Sequence, residues 1–265
     1  MTRSIISDWS QFQVAVRTQI AGYVQTSRFW IIFAIVLAIG GGITIAFVIK
    51  GGVFVHGAFG ATAIAYIAGL LGFVSFLSIV TGAFFGGDAI STDFGTKSGF
   101  FTLALPVKRR VLLGGRFAAA FLVSVLLLSI FYAFAAFGGI YFYSFATVPW
   151  FNLGLSYLLD LLLLLGILAF AFCLSSVSKS PAIGLVVTIL VLLVVFNIVD
   201  AVLGTLLGSQ YLLWSILYAA AAIPTTIEHG LGAGSPAVWQ STIIMALYTV
   251  GFLAIALVLY DRQEA

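Results

Sequence analysis

Seven of the chain's nineteen charged residues stand between positions 86 and 116: Asp88, Asp93, Lys97, Lys108, Arg109, Arg110 and Arg116. Carboxylates and cations gathered this way in an otherwise apolar chain suit ion pairing with another molecule. Gly95 can take a positive φ that other residues resist, and Thr96 can bond back to the local backbone. Asp93 then offers a carboxylate to a basic or amide-lined groove. A short apolar patch follows and ends at Pro106. The segment reads as a docking surface for a cytoplasmic partner.

Other chemistry is sparse. Gly95-Thr96-Lys97-Ser98 falls short of a phosphate-binding loop, which needs Gly directly before Lys. No His-Glu-x-x-His pair, Gly-x-Ser-x-Gly elbow or Cys/His cluster with metal-ligand spacing occurs. His56 and His229 fall in expected outer loops, too isolated to hold a metal. Cys173 is the single cysteine, so an intrachain disulfide is excluded. An intramembrane hydrolase would need paired acids, for which Asp160 and Asp200 are the candidates. Counting about 20 residues outward in each direction from the Ser178-Lys179-Ser180-Pro181 turn reaches both. They are therefore expected at the outer membrane boundary, where a carboxylate is ordinary, rather than mid-membrane, where it would cost ~2.5–3.5 kcal/mol on insertion scales.

The elements that must position these residues are membrane spans. The chain is 63% hydrophobic and 7% charged, against roughly 25% charged in soluble domains. A pI near 9.1 does not signal nucleic acid, because the net charge is only +3 and most cations flank the expected spans. Apolar runs at 30–49, 58–85, 111–143, 157–177, 182–201 and 237–260 give six spans in a single transmembrane domain over 1–265. Ten Lys and Arg then fall on the cytoplasmic side and Lys50 alone outside, so both termini are expected in the cytoplasm. The first 25 residues lack a signal peptide's continuous apolar core, so the first span should serve as its own insertion signal.

Within this frame, 4–27 reads as an amphipathic interfacial helix, with Trp9, Phe12, Val16, Ile20 and Tyr23 on one face. Ser7 is its expected cap. Gly40, Gly41 and Gly42 should allow a bend or a close helix approach. Gly57, Ala61, Ala65 and Gly69 form a small-residue stripe suited to helix packing. Ser180 and Pro181 should cap and start the fifth span. Residues 211–223 are too short to cross and read as a re-entrant segment within an outer stretch, 208–236.

The 86–116 segment resembles the loop between the second and third spans in membrane subunits of type-2 ATP-binding-cassette exporters. The matching residues are Asp88, Ser91-Thr92-Asp93, Gly95-Thr96, Leu103-Ala104-Leu105-Pro106-Val107, Arg109 or Arg110, and Gly115-Arg116. Asp93 stands where that family commonly has Glu. The layout is similar as well: an elbow helix, six transmembrane helices and a re-entrant outer hairpin before the last. The resemblance implies an all-α polytopic permease in the cell membrane that dimerises, as a homodimer or with a related chain. It also implies a coupling loop whose Asp88, Ser91, Thr92, Asp93, Gly95, Thr96, Lys97 and Pro106 dock on a separate cytoplasmic ATPase. ATP and Mg would bind that partner, and this chain would carry no cofactor, no metal and no catalysis of its own. The alternatives are a non-transporting anchor or signal-relay subunit and, after it, an intramembrane enzyme. No inverted repeat of span lengths points to a secondary carrier.

Overall fold

Hydrocarbon offers no hydrogen-bond partners, so an apolar chain crossing it must satisfy its own backbone, and the helix does this within one segment. The computed structural model describes residues 8–50, 62–92, 109–178, 180–231 and 236–262, and among these it is predominantly helical with no strand. Helix α1 is Asp8–Gln25. Six helices long and apolar enough to cross a membrane follow: α2 (Ser27–Ile49), α3 (Ala63–Gly86), α4 (Arg110–Phe142), α5 (Trp150–Val177), α6 (Pro181–Leu206) and, after two short helices, α9 (Val238–Tyr260). The short ones are α7 (Ile216–Ala220) and α8 (Ala222–His229). The chain is a multi-pass membrane protein.

Helix α5 is the axis of the bundle. Of its most apolar stretch 72% is buried, against 17% for α6 and for α9. It packs on α3, α4, α6, α8 and α9. Small residues let backbones approach where these helices cross. A Cβ placed on Gly82 would lie 2.5 Å from Ile167 Cγ2, and one on Gly86 2.8 Å from Ala171 Cβ. Gly166 does the same on the other side of α5, against Ile216 and the Met245 carbonyl. Phe170 and Phe252 then meet edge to face at 4.9 Å, which holds α9 on α5.

The glycine triplet in α2 gives a close approach beside a π-helical turn. Residues Leu37–Gly41 form a π-helical turn, and Gly40 sits against Phe131 and Phe134 of α4. Ser180 and Pro181 start α6 as expected, but Ser180 makes no side-chain capping bond. Ser7 lies outside the described residues.

One expectation needs correction. Helix α5 begins at Trp150 rather than Tyr157, so Trp150 and Asn152 belong to the helix. The cause is Pro149, which sets the chain direction just ahead of the first turn, while Asn152 Nδ2 donates to the Ile227 carbonyl of α8 at 3.2 Å. Asp160 consequently lies ten residues inside α5, about 15 Å of helix. It is fully buried in protein. Asp200, six residues before Leu206, lies nearer its helix end.

Candidate functional site

Residues 87–92, which follow the end of α3, form the described root of the charged loop. The first half of the site is the way four other helices hold this root and the end of α3 that carries it. From α1, the Tyr23 hydroxyl donates to the Phe85 carbonyl at 2.9 Å. From α2, Arg28 pairs with the Asp88 carboxylate. From α4, Arg116 Nη1 donates to the Ala89 carbonyl at 3.0 Å. From α5, Ser175 Oγ accepts the N–H groups of Ile90 and Ser91 at 3.0 and 3.1 Å. Thr92 Oγ1 closes the turn on the Asp88 carbonyl at 2.7 Å. Asp88, Ser91, Arg116 and Ser175 are all buried.

The Tyr23 and Arg116 contacts satisfy carbonyls that the end of a helix would otherwise leave orphaned. Burial, and behind it the Asp88 carboxylate, pushes the Tyr23 hydroxyl above the usual phenol range despite its bond to Gln19 and the nearby Arg116 and Arg28 guanidinium groups. Tyr23 therefore remains a donor. Where α3 gives way to the root, Gly87 also meets α6 backbone to backbone. A Cβ on Gly184 would lie 2.2 Å from the Gly87 carbonyl oxygen.

Of the residues singled out in the sequence, Asp88, Ser91 and Thr92 are thus brought together at the root. Asp93, Gly95, Thr96, Lys97 and Pro106 lie outside the described residues, as do Gly57 and Ala61 of the small-residue stripe. Ala65 and Gly69 are half-buried, beside the fully buried Tyr66, Ile67 and Leu70. Tyr23, Arg28, Arg116 and Ser175 were not singled out for this role. Their one legible signal was polarity: a cation beside an apolar run, or a serine within one.

The second polar set lies inside the bundle. Ser78 Oγ of α3 donates to Asp160 Oδ1 at 2.8 Å, while Asp160 Oδ2 is buried with no hydrogen-bond partner among the described residues. One turn away, Ser156 Oγ donates to the Ile223 carbonyl of α8 at 3.0 Å, and the Tyr132 hydroxyl of α4 donates to the Ser156 carbonyl at 3.2 Å. Ser215 joins α6 to α7. Its hydroxyl donates to Asp200 Oδ2 at 2.6 Å and accepts the N–H groups of Leu217 and Tyr218 at the start of α7. These bonds fasten the α7–α8 segment to the spans on either side of it. Asp160 and Asp200 reach different partners on different helices, and neither is bonded to the other. Among the described residues no group of three or more His, Cys, Asp or Glu side chains could hold a metal.

No protein-family model matches this chain, and no curated protein matches it.

Proposed function

We propose that the chain is the membrane-embedded permease subunit of a type-2 ATP-binding-cassette exporter. It works as a dimer with a separate cytoplasmic ATPase that binds ATP and Mg, in the cell membrane, with both termini in the cytoplasm. The observation that carries this reading is the clamped root of the charged loop. A push delivered to a loop is lost if its base is loose. Here the base is bonded to α1, α2, α4 and α5 at once. Asp88 and Ser91 spend their polar groups inside the chain and set the loop's direction. Asp93, Gly95, Thr96 and Lys97 then meet the ATPase. The sequence agrees by subtraction, having a docking loop and no phosphate loop of its own.

In this reading α1 is the elbow helix, lying in the interface with Trp9 and Val14 exposed and its other face packed on α4. The α7–α8 segment is the re-entrant hairpin, seated among α3, α5 and α9.

Co-purification with the co-encoded ATPase tests the proposal. Asp93→Arg should insert and fold normally yet lose the ATPase, while Asp160→Asn should keep it. Equal recovery with Asp93→Arg and wild type would refute the docking role. An ATPase that binds but whose turnover no cargo stimulates would identify an anchor instead of a transporter.

A further inference from the structure

The carboxyl of Asp160 is fully buried, and its two oxygens fare differently. Oδ1 accepts the Ser78 hydroxyl of α3 at 2.8 Å. Oδ2 is sealed from solvent and has no hydrogen-bond partner among the described residues. The hydroxyls around it are already committed. Tyr132 of α4, the titratable side chain within electrostatic reach of Asp160, gives its proton to the Ser156 carbonyl. Ser156 gives its own to the Ile223 carbonyl of α8. Tyr157, ring to ring with Tyr132 at 5.0 Å, donates to Ser129 Oγ at 2.7 Å, because the Ser129 proton already goes to the Val125 carbonyl. From α3, α6, α8 and α9, which also pack on α5, no charged group among the described residues acts on the carboxyl.

A carboxylate held this way is a charge buried without a counter-charge, which is among the costliest states a side chain can take in a protein interior. Whatever completes the site must bring positive charge to Oδ2 and must fit where water does not reach. A metal ion needs several donor atoms around it, and among the described residues no cluster of acidic, His or Cys side chains supplies them. A proton needs Oδ2 alone. It leaves a neutral acid whose carbonyl oxygen, Oδ1, keeps the Ser78 bond, and an unpaired O–H costs far less than an unpaired charge.

We propose that Asp160 is a proton-binding site shared by α3 and α5, whose proton exchanges with water only when these two helices part. The segment Val74–Gly86 is one unbroken helix that carries Ser78 and ends at the clamped root. Movement of the root therefore reaches the site along a single element. The site does not depend on the ATPase or on any transported cargo, so it stands or falls separately from the transporter reading.

Infrared spectroscopy of the full chain in detergent tests this, with carbon-13 aspartate to pick out the aspartyl carboxyls. Wild type at neutral pH should show the C=O stretch of a protonated carboxylic acid. Asp160→Asn should remove that component, and Asp200→Asn should leave it. Ser78→Ala should shift it to higher wavenumber, because the carbonyl oxygen loses a hydrogen bond. Gly82 supplies the test of exchange. A Cβ there would lie 2.5 Å from Ile167 Cγ2, so Gly82→Val pries α3 from α5 one turn beyond Ser78 while leaving both Ser78 and Asp160 in place. On transfer to deuterium oxide its band should exchange about tenfold faster than that of wild type, the change that roughly 1.4 kcal/mol of easier opening brings. Gly82→Ala, a smaller wedge at the same place, serves if the Val variant does not fold. A spectrum without the protonated component, or one in which Asp160→Asn leaves it intact, would overturn the proposal. So would equal exchange in wild type and the folded Gly82 variant.

Discussion

The closest backbone approach at the loop root sets up a sharp test. A Cβ on Gly184 would lie 2.2 Å from the Gly87 carbonyl oxygen, more than 1 Å inside the roughly 3.5 Å at which packed atoms rest. The obstacle is a backbone atom, and α3 is held just there by Tyr23, Arg28, Arg116 and Ser175. It cannot swing aside as a side-chain tip would. Overpacking of this kind costs roughly 1–3 kcal/mol in soluble cores. At roughly 2–4 °C per kcal/mol for a chain of this size, Gly184→Ala should lower the melting temperature by about 2–12 °C. Gly251→Ala is the matched control. A Cβ there meets nothing within 4 Å, so it should gain up to the roughly 1 kcal/mol by which Ala is the better helix residue. Both are read by thermal unfolding in one detergent. If Gly184→Ala melts at or above wild type, the contact between α3 and α6 does not limit their approach and the reasoning fails.

Arg28→Gln should destabilise by about 1–3 kcal/mol, because it strands the buried Asp88 carboxylate, and adding Asp88→Asn should recover part of the loss in a double-mutant cycle. Ser78→Ala leaves Asp160 without the one hydrogen bond it has among the described residues and should cost about 1–3 kcal/mol. Ser78→Ala with Asp160→Leu should return to wild-type stability or exceed it, since well-packed apolar replacements of buried polar groups often do. If that stable double variant has lost ATPase-coupled activity, the pair serves function rather than folding. For Tyr23 the sign follows from its raised pKa: the ordinary value is 10.0. The unfolded phenol ionises above that pH while the folded one stays protonated, so stability is full below pH 10 and falls as pH rises beyond it. Tyr23→Phe should melt at a lower temperature at neutral pH and show a shallower alkaline fall than wild type. Parallel alkaline slopes would remove Tyr23 from the account.

The six spans were legible because a helix that crosses hydrocarbon needs about 20 apolar residues, and composition alone reveals such runs. Pro181 and the glycine triplet were legible because each acts locally on its own backbone. What sequence did not disclose is pairing. Arg28 and Asp88 are 60 positions apart, and Ser175 and Ile90 are 85 apart. Hydropathy carries no information about which helix neighbours which. The start of α5 was hidden for a related reason: about 20 residues suffice to cross hydrocarbon, whereas α5 continues to Trp150 and packs Asn152 on α8. Of the small-residue stripe at Gly57, Ala61, Ala65 and Gly69 only the last two lie among the described residues, and close approaches of α3 also fall lower, at Gly82, Gly86 and Gly87. Spacing alone cannot say which small residues face a partner.

The buried bonds of α5 also carry an order in time. The partner of Asp160, Ser78, stands 82 positions earlier in the chain, whereas the acceptor for Ser156, Ile223, stands 67 positions later. When α5 emerges from the ribosome, α3 has already been made, and the carboxylate meets its hydroxyl at once. Ser156 must wait for α8, which at about 5–20 residues per second means roughly 3–13 s of further synthesis. Until then the face of α5 that will receive α8 and α9 has no chain to cover it. The α3–α5 pair is thus the nucleus on which the later half of the protein assembles, and damage at Ser78 strikes the first step of biogenesis while damage at Ser156 strikes one of the last.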